Sequence, residues 1–237
     1  MRFLGSSRTG LLIGFSCTHP ARLDARLIRL AVRLQGGIPV SLRPGAPVPW
    51  ERLHGLVVGG GAHIHPRHFQ QRPEVEARYV LARDVLEMEL LEQALLRDMP
   101  VLGICRGAQA LNISRAGSLM QDITPHRRLT RPRNLVLPLQ PARLAPGSRL
   151  ARTLGVSGLG VNRIHSQAID QLGEAIDAVA WDADGFIQGI ELRKARWVVG
   201  VQWHPEYLLY HPAHRRLFAA LVRAARRYQQ EHLGESG

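Results

Sequence analysis

A cysteine and a histidine–glutamate pair are the residues of this sequence whose types and spacing suggest chemistry. Cys105 follows the apolar, β-prone segment 100–104 and precedes the helical spacing of Ala108, Leu111 and Ile113. A cysteine at a strand-to-helix turn lies at a helix N-terminus, where the macrodipole favours the thiolate over the thiol. Free cysteines are also often small buried core residues. This segment alone therefore leaves a nucleophile and a core residue as open alternatives.

His204 and Glu206 stand at the end of a second apolar segment, 198–202. Residues two apart share a face of an extended chain, so Glu206 can accept a hydrogen bond from the imidazole. Pro205 has no amide proton to donate to a sheet, which places the pair at the rim. A thiolate nucleophile needs a base, and the base needs an orienting acceptor. We therefore expect both Cys105 and the His204–Glu206 pair to lie at strand carboxyl ends, where open α/β sheets bind ligands. The alternative is a surface histidine beside a surface glutamate.

The elements that must position these residues alternate between strands and helices. We expect strands at 10–17, 38–42, 53–58, 100–104, 175–181, 186–192 and 197–202, and helices at 22–34, 76–97 and 211–228. This alternation is typical of a parallel sheet with crossover helices. We predict one α/β domain over 1–237, with a mainly parallel central sheet, helices on both faces and a small β extension. The proline-rich segment 124–160 is expected to form short strands and loops.

The glycine triplet 59–61 directly follows one of these strands. Glycine allows unusual backbone angles and a close approach of the backbone to another group. The triplet is therefore either a tight turn or a set of amide groups that face a developing anion.

The composition limits the compartment and the partners. The chain has 237 residues, a formal net charge of +12 and only two cysteines, Cys17 and Cys105. Two cysteines cannot form a disulfide framework, so we expect a reducing, cytoplasmic location, with Cys17 in the core. No apolar window is long enough for a transmembrane helix, so we expect no membrane partner. The arginines are scattered without interleaved aromatic residues, which favours a solvated basic surface over a nucleic-acid site.

The segments 103–109 (GICRGAQ) and 200–206 (GVQWHPE) resemble the paired signature of the class I glutamine amidotransferase-like superfamily. More narrowly, the chain resembles the γ-glutamyl hydrolase (peptidase C26) branch, especially the γ-glutamyl-γ-aminobutyrate hydrolases of polyamine (putrescine) breakdown. Further matches follow in the order of that family, at 112–122, 144–155, 161–167 and 184–191. The resemblance implies a flavodoxin-like three-layer sandwich.

The resemblance also implies roles for individual residues. Cys105 is the implied nucleophile, His204 the general base and acid, and Glu206 its orienting acceptor. The implied oxyanion hole consists of backbone amides of Arg106 and of Gly60 or Gly61. The implied substrate-binding residues are Gln109, His165, Ser166 and Gln167.

The implied reaction is hydrolysis of a small γ-glutamyl amide through a glutamyl thioester, without a metal or an organic cofactor. A homodimer is compatible with this resemblance, which does not set the oligomeric state. Two alternatives stay open: a glutaminase subunit that donates ammonia to a synthase, and a non-catalytic binding or regulatory protein whose basic surface holds an acidic partner.

The sequence departs from the family pattern in two places. After the glycine turn it reads Ala62-His63-Ile64-His65-Pro66, where the family has an acidic residue and a proline. The helix after Cys105 runs to 115–118 (RAGS), where the family has Gly-Gly-Thr. Neither change touches the implied catalytic residues, so we expect hydrolysis to persist. The amine half of the substrate and the role of the arginine-rich stretch 127–152 stay open.

Overall fold

The computed structural model describes residues 10–130 and 135–234, which form an α/β sandwich. The strands are β1 (Leu12–Ser16), β2 (Ile38–Leu42), β3 (Leu53–Val58), β4 (Val101–Ile104), β5 (Leu119–Met120), β6 (Leu135–Leu144), β7 (Gly158–Arg163), β8 (Ala168–Ile169), β9 (Ile176–Trp181), β10 (Ile187–Leu192) and β11 (Val198–Val201). The α-helices are α1 (Leu23–Leu34), α2 (Leu81–Leu96), α3 (Arg106–Ile113), α4 (Arg149–Leu154) and α5 (Pro212–Gly234). Short 3₁₀ turns cover Trp50–Arg52, Pro66–Phe69, Thr124–His126 and Pro205–Leu208.

The main sheet of the described residues has nine strands in the order β2-β1-β3-β4-β11-β10-β9-β6-β7. The strands from β2 to β11 pair in parallel, and those from β11 to β7 pair antiparallel. In the parallel half β4 lies beside β11, with Ile104 opposite Val201. The carboxyl ends of these two strands therefore meet at one edge, which is where open α/β sheets bind ligands.

Helices pack on both faces of the sheet, as the sequence predicts. Alternate residues of a strand point to opposite faces, and β3 shows this directly. Val57 packs with α1 and α5 on one face, while Leu56 and Val58 pack with α2 and α3 on the other. The sheet therefore divides the core into two apolar layers. One layer packs on each face of β4 and β11.

Most predicted elements are confirmed, and three are corrected. Helix α2 begins at Leu81 rather than at Glu76, because Tyr79 forms an isolated parallel bridge with His63 and Val80 is not helical. The β extension is larger than predicted: β6 is a ten-residue strand despite Pro138 and Pro141, where the sequence suggested short strands. Pro138 lies where the pairing of β6 with β7 shifts register, between Leu135 and Gln140, and proline is tolerated where a strand lacks a regular ladder.

Helix α5 extends six residues beyond its predicted end at Tyr228. Its predicted inward residues, Leu217, Leu221 and Ala224, are buried. Among the described residues, no helix is long and apolar enough to cross a membrane.

Candidate active site

Cys105 lies at a sharp turn between β4 and α3. Its backbone angles are φ 51° and ψ −106°, a conformation that costs a non-glycine residue free energy and often marks functional sites. Glycines on both sides allow the turn to be this tight. A Cβ at Gly103 would lie 2.7 Å from the Gly107 carbonyl oxygen, and one at Gly107 would lie 1.9 Å from that of Val58. The Cys105 side chain is 5% exposed and stands at the N-terminus of α3.

His204 connects Glu206 to Cys105. The His204 Nδ1 atom lies 2.7 Å from Glu206 Oε1, and the ring interacts electrostatically with the Cys105 side chain. The sequence predicts that both residues lie at strand carboxyl ends, but one local detail of the prediction is wrong. The chain does not continue extended after His204, because Pro205 begins a 3₁₀ turn. The turn, rather than the pleat of a strand, brings the carboxylate of Glu206 to the imidazole.

The electrostatics of the site favour a charged imidazole. Burial disfavours the imidazolium, but the negative charges of Glu206 and Cys105 outweigh burial and hold the pKa of His204 well above its ordinary value. Glu206 itself is 1% exposed. The arrangement can therefore hold a thiolate–imidazolium pair out of bulk water, which is the reactive form of a cysteine nucleophile.

Asn162 holds the backbone of His204 from both sides, a contact that sequence reasoning does not reveal. The Asn162 side chain donates to the His204 carbonyl (2.9 Å) and accepts from the His204 amide (2.8 Å). Asn162 is fully buried on β7, at the far end of the strand order, and the β6–β7 pair returns it to the site. The nearest signal in the sequence is its place within the 161–167 match. Gln202, also unassigned from the sequence, donates to Cys105 Sγ at 3.5 Å.

A cavity of about 150 Å³ opens at Cys105. Its lining residues are Gly61, Ala62, His63, Cys105, Arg106, Gln109, Ile164, His165, Ser166 and Gln167. They include the predicted nucleophile, two of the three residues with predicted oxyanion-hole amides and all four predicted substrate-binding residues. Gly60 lies beside the cavity against His204, since a Cβ there would lie 2.3 Å from the ring Cε1.

The predicted substrate-binding residues form a connected wall. The Gln109 amide donates to the Gln167 carbonyl (2.9 Å) and to Gln202 Oε1 (3.0 Å). His165 Nδ1 lies 2.9 Å from the same Gln167 carbonyl, and because a carbonyl only accepts, this nitrogen carries the proton. Burial lowers the pKa of His165 to about 3. The ring is therefore neutral at pH 7, and its Nε2 can accept a hydrogen bond.

The two departures from the family pattern lie in different places. His63 lines the cavity, with Nε2 2.6 Å from Ser166 Oγ. Burial lowers the pKa of His63, while the charge of Asp122 opposes this effect. Ala116 has a left-handed φ of 65° in a turn outside the cavity lining. An alanine there costs roughly 1–2 kcal/mol, which gives a physical reason for the glycine that the family has in this segment.

The described residues of the arginine-rich stretch, 127–130 and 135–152, do not line the cavity. Residues 131–134 of this stretch lie outside the described residues. Asp184 accepts hydrogen bonds from the amides of Arg128, Leu129 and Thr130, which ties this segment to the β9–β10 turn. Arg127 lies 3.8 Å from the carboxylate of Asp182. The stretch therefore begins as a packed segment.

The second cysteine, Cys17, lies away from the cavity. Cys17 belongs to the apolar core, and burial raises the pKa of its thiol. Its predicted place in the core is confirmed. In the part of the chain that the structure describes, no group of three or more His, Cys, Asp or Glu side chains could hold a metal ion.

Comparison with known proteins agrees with this geometry. The model of the family described as Peptidase C26 matches residues 20–206. "Putative glutamine amidotransferase Rv2859c" of Mycobacterium tuberculosis is 41% identical over 207 residues, which cover 83% of this chain and 66% of that protein. The chain thus spans slightly less than two thirds of that relative's length. "Gamma-glutamyl-gamma-aminobutyrate hydrolase PuuD" of Escherichia coli K12 is 26% identical over 188 residues, 73% of this chain and 74% of that protein.

The fold has a solved counterpart as well. A glutamine amidotransferase from Thermotoga maritima superposes with a TM-score of 0.63 at 16% identity, over 91% of this chain and 96% of that one. This likeness shows that the α/β fold is shared. The family match over residues 20–206 shows that the chain belongs to the Peptidase C26 family of glutamine amidotransferase-like hydrolases.

Proposed function

We propose that this protein hydrolyses the γ-glutamyl amide bond of a small γ-glutamyl amine through a Cys105 thioester. The observation that carries the proposal is the position of the His204 imidazole, which lies between Glu206, at 2.7 Å, and Cys105, beside the cavity. A base held between an orienting carboxylate and a thiol is the arrangement that activates a cysteine nucleophile.

The first half of the proposed reaction forms the thioester. The Cys105 thiolate adds to the γ-carbonyl carbon, and the carbonyl π electrons move onto its oxygen. Backbone amides of Gly60 or Gly61 and of Arg106 would stabilise this oxyanion, an effect of about 3–4 kcal/mol for a strong donor. The imidazolium of His204 then protonates the amine nitrogen as the C–N bond breaks. The amine leaves, and a glutamyl thioester and a neutral imidazole remain.

The second half releases glutamate. Neutral His204 removes a proton from a water molecule, whose oxygen adds to the thioester carbon. Collapse of this second tetrahedral intermediate breaks the C–S bond, so Cys105 leaves as a thiolate and His204 is again an imidazolium. Glu206 stabilises the charged ring in both halves and fixes which nitrogen faces the thiol. The chain's own residues therefore suffice for every proton that moves.

The size and polarity of the cavity support a small, polar substrate. A volume of about 150 Å³ lies well below that of pockets for drug-sized ligands, which begin at about 300 Å³. Gln109, His165, Ser166 and Gln167 provide amide, imidazole and hydroxyl groups, which suit the α-amino-acid end of a glutamyl group. These groups can recognise the glutamyl half of the substrate. His63, which belongs to the segment that departs from the family pattern, lies beside them.

The direct test is release of glutamate from a panel of γ-glutamyl amines by the purified protein. γ-Glutamyl-GABA is the first compound of the panel, because a relative carries that substrate in its name. The proposal predicts glutamate release from at least one member, and its loss in Cys105→Ala. Cys17→Ala is the matched control, since Cys17 is a buried core cysteine outside the site. Failure across the panel with a titratable Cys105 thiol would overturn the proposal.

A second candidate function is a glutaminase that donates ammonia to a synthase. The name of the mycobacterial relative favours it, at 41% identity. This candidate uses the same thioester chemistry with ammonia as the leaving group. It predicts glutaminase activity that rises when co-purified proteins are added, whereas a hydrolase that acts alone shows full activity with γ-glutamyl amines and no such rise.

A further inference from the structure

Four buried charged side chains lie beneath the glycine turn 59–61. Arg83, Asp84 and Glu87 come from α2 and Arg106 from α3, and each is less than 5% exposed. Arg83 pairs with Glu87 at 2.7 Å, and Arg106 pairs with both carboxylates. Burying four charges carries a desolvation cost that their mutual attraction often does not repay. The proposed thioester chemistry assigns no role to Arg83 or Glu87, so their purpose needs another explanation.

Arg83 contacts the backbone of the glycine turn directly. Its Nη2 donates to the carbonyl oxygens of Gly60 (2.7 Å) and Gly59 (3.2 Å). The approach requires glycine: a Cβ at Gly61 would lie 2.2 Å from Arg83 Nη1. Ser16 also holds the turn, since its hydroxyl accepts from the Gly59 amide (3.1 Å) and donates to Glu87 (2.7 Å).

These contacts set the direction of the amides in the turn. In a planar trans peptide, the N–H points opposite to the C=O of the preceding residue. Because Arg83 draws the carbonyls of Gly59 and Gly60 to itself, the amides of Gly60 and Gly61 point away from the guanidinium. Gly60 packs against His204, and Gly61 lines the cavity with Cys105. The side opposite Arg83 is therefore the side on which an oxyanion would form.

We propose that Arg83 is a positioning residue that fixes the Gly59–Gly61 turn, so that its amides face the oxyanion formed at Cys105. The proposal rests on the proposed function in that it assumes acyl transfer at Cys105, but it does not depend on the identity of the amine. Glu87 and Ser16 complete the device: the Glu87 carboxylate holds the Arg83 guanidinium, and the Ser16 hydroxyl joins Glu87 to the turn.

Two reactions of Cys105 separate positioning of the oxyanion hole from general damage. Acylation by 4-nitrophenyl acetate develops an oxyanion and needs no glutamyl group, while alkylation by iodoacetamide develops none. Both rates are measured for the wild type, Arg83→Lys and Arg83→Met, with Cys105→Ala as the background. In both Arg83 variants we expect acylation to fall about 10- to 100-fold, because misplaced donors stabilise the transition state poorly. Alkylation should stay within about threefold of the wild type.

Arg83→Lys distinguishes geometry from charge. Lysine keeps the positive charge beside Glu87 but lacks the planar fork that places Nη2 on both carbonyls. Full acylation in Arg83→Lys, with loss only in Arg83→Met, would overturn the proposal in favour of simple charge balance. Equal losses in acylation and alkylation would overturn it too, as would the absence of Cys105-dependent acylation in the wild type. Failure to release glutamate alone would instead count against the proposed function.

Two further variants keep the test decisive if the Arg83 variants do not fold. Gly61→Ala removes no charge and forces Arg83 away from the turn, so it should lower acylation while alkylation persists. Unchanged acylation in Gly61→Ala would contradict the proposal. Arg97→Met is the matched control, because Arg97 follows the same helix α2. Its guanidinium donates to Gln93 and lies over the Trp50 ring, neither of which belongs to the glycine turn or the cavity lining. Both rates should be unchanged in this control.

Discussion

Replacing Gly60 with alanine should move the His204 imidazole away from Cys105 without changing either side chain. A Cβ at position 60 would lie 2.3 Å from Cε1 of His204 and 3.2 Å from each ring nitrogen. Carbon atoms pack at about 3.5–4.0 Å, so the ring or the turn must move by more than about 1 Å. Gly60 does not have a positive φ, so the alanine backbone itself is not strained.

The size of the effect follows from how tightly the ring is held. Glu206 fixes Nδ1 at 2.7 Å, and Asn162 fixes the backbone of His204 on both sides. The imidazole therefore cannot move to a second position with the same contacts. A misplacement of about 1 Å at a reacting centre costs about 100-fold in rate, which corresponds to about 2.7 kcal/mol of transition-state stabilisation. We expect this loss in kcat, with a smaller change in KM.

Steady-state glutamate release and the melting temperature together test this expectation. Gly147→Ala is the control, since a Cβ there meets nothing within 4 Å. Its left-handed φ of 74° should lower stability by roughly 1–2 kcal/mol without lowering activity. A folded Gly60→Ala protein with kcat/KM within about threefold of the wild type would show that the added Cβ does not displace the His204 imidazole from Cys105.

Three further predictions use the same structure. Glu206→Gln should lower kcat less than His204→Ala does, because orientation is lost but the base stays; equal losses would contradict the role of Glu206. Asn162→Ala should lower kcat about 10-fold at nearly constant KM. Unchanged kinetics would show that the contact of Asn162 with the His204 backbone does not matter for the reaction. Burial lowers the pKa of His214 to about 4 from 6.5, so the unfolded chain binds more protons across this range, and the free energy of unfolding should fall as the pH falls. The contribution of His214 is about 1.4 kcal/mol per pH unit at most, and chemical denaturation of His214→Gln should show a shallower slope.

Much of the fold follows from local sequence patterns. The strand over 53–58 can be predicted from its apolar residues alone. The helix over 22–34 can be predicted from its apolar periodicity and the glycines that follow it. The structure places both within one residue of those bounds. The meeting of Cys105 and His204 needs one more step, the rule that parallel strand ends share an edge. Local pattern and simple topology therefore suffice to bring these two residues together.

The remaining contacts depend on distant parts of the chain. The start of α2 is set by the bridge between Tyr79 and His63, which no helical periodicity encodes. Asn162 reaches His204 from the far end of the strand order, so only the three-dimensional path of β6 and β7 reveals it. In the sequence, Arg83 is one of several charged residues in an amphipathic helix. Only the structure shows its contact with the glycine turn. Long-range partners of this kind leave no mark in the residues beside them.

Intact-protein mass spectrometry can detect the proposed transfer of a glutamyl group to Cys105 directly. The protein is mixed rapidly with γ-glutamyl-GABA or another member of the panel and quenched in acid. If a thioester forms at Cys105, the protein mass should rise transiently by one glutamyl group. The added group should lie on the peptide that contains Cys105 and be absent from Cys105→Ala. Release of glutamate by Cys105→Ala at the wild-type rate, or a glutamyl adduct on a different residue, would contradict it.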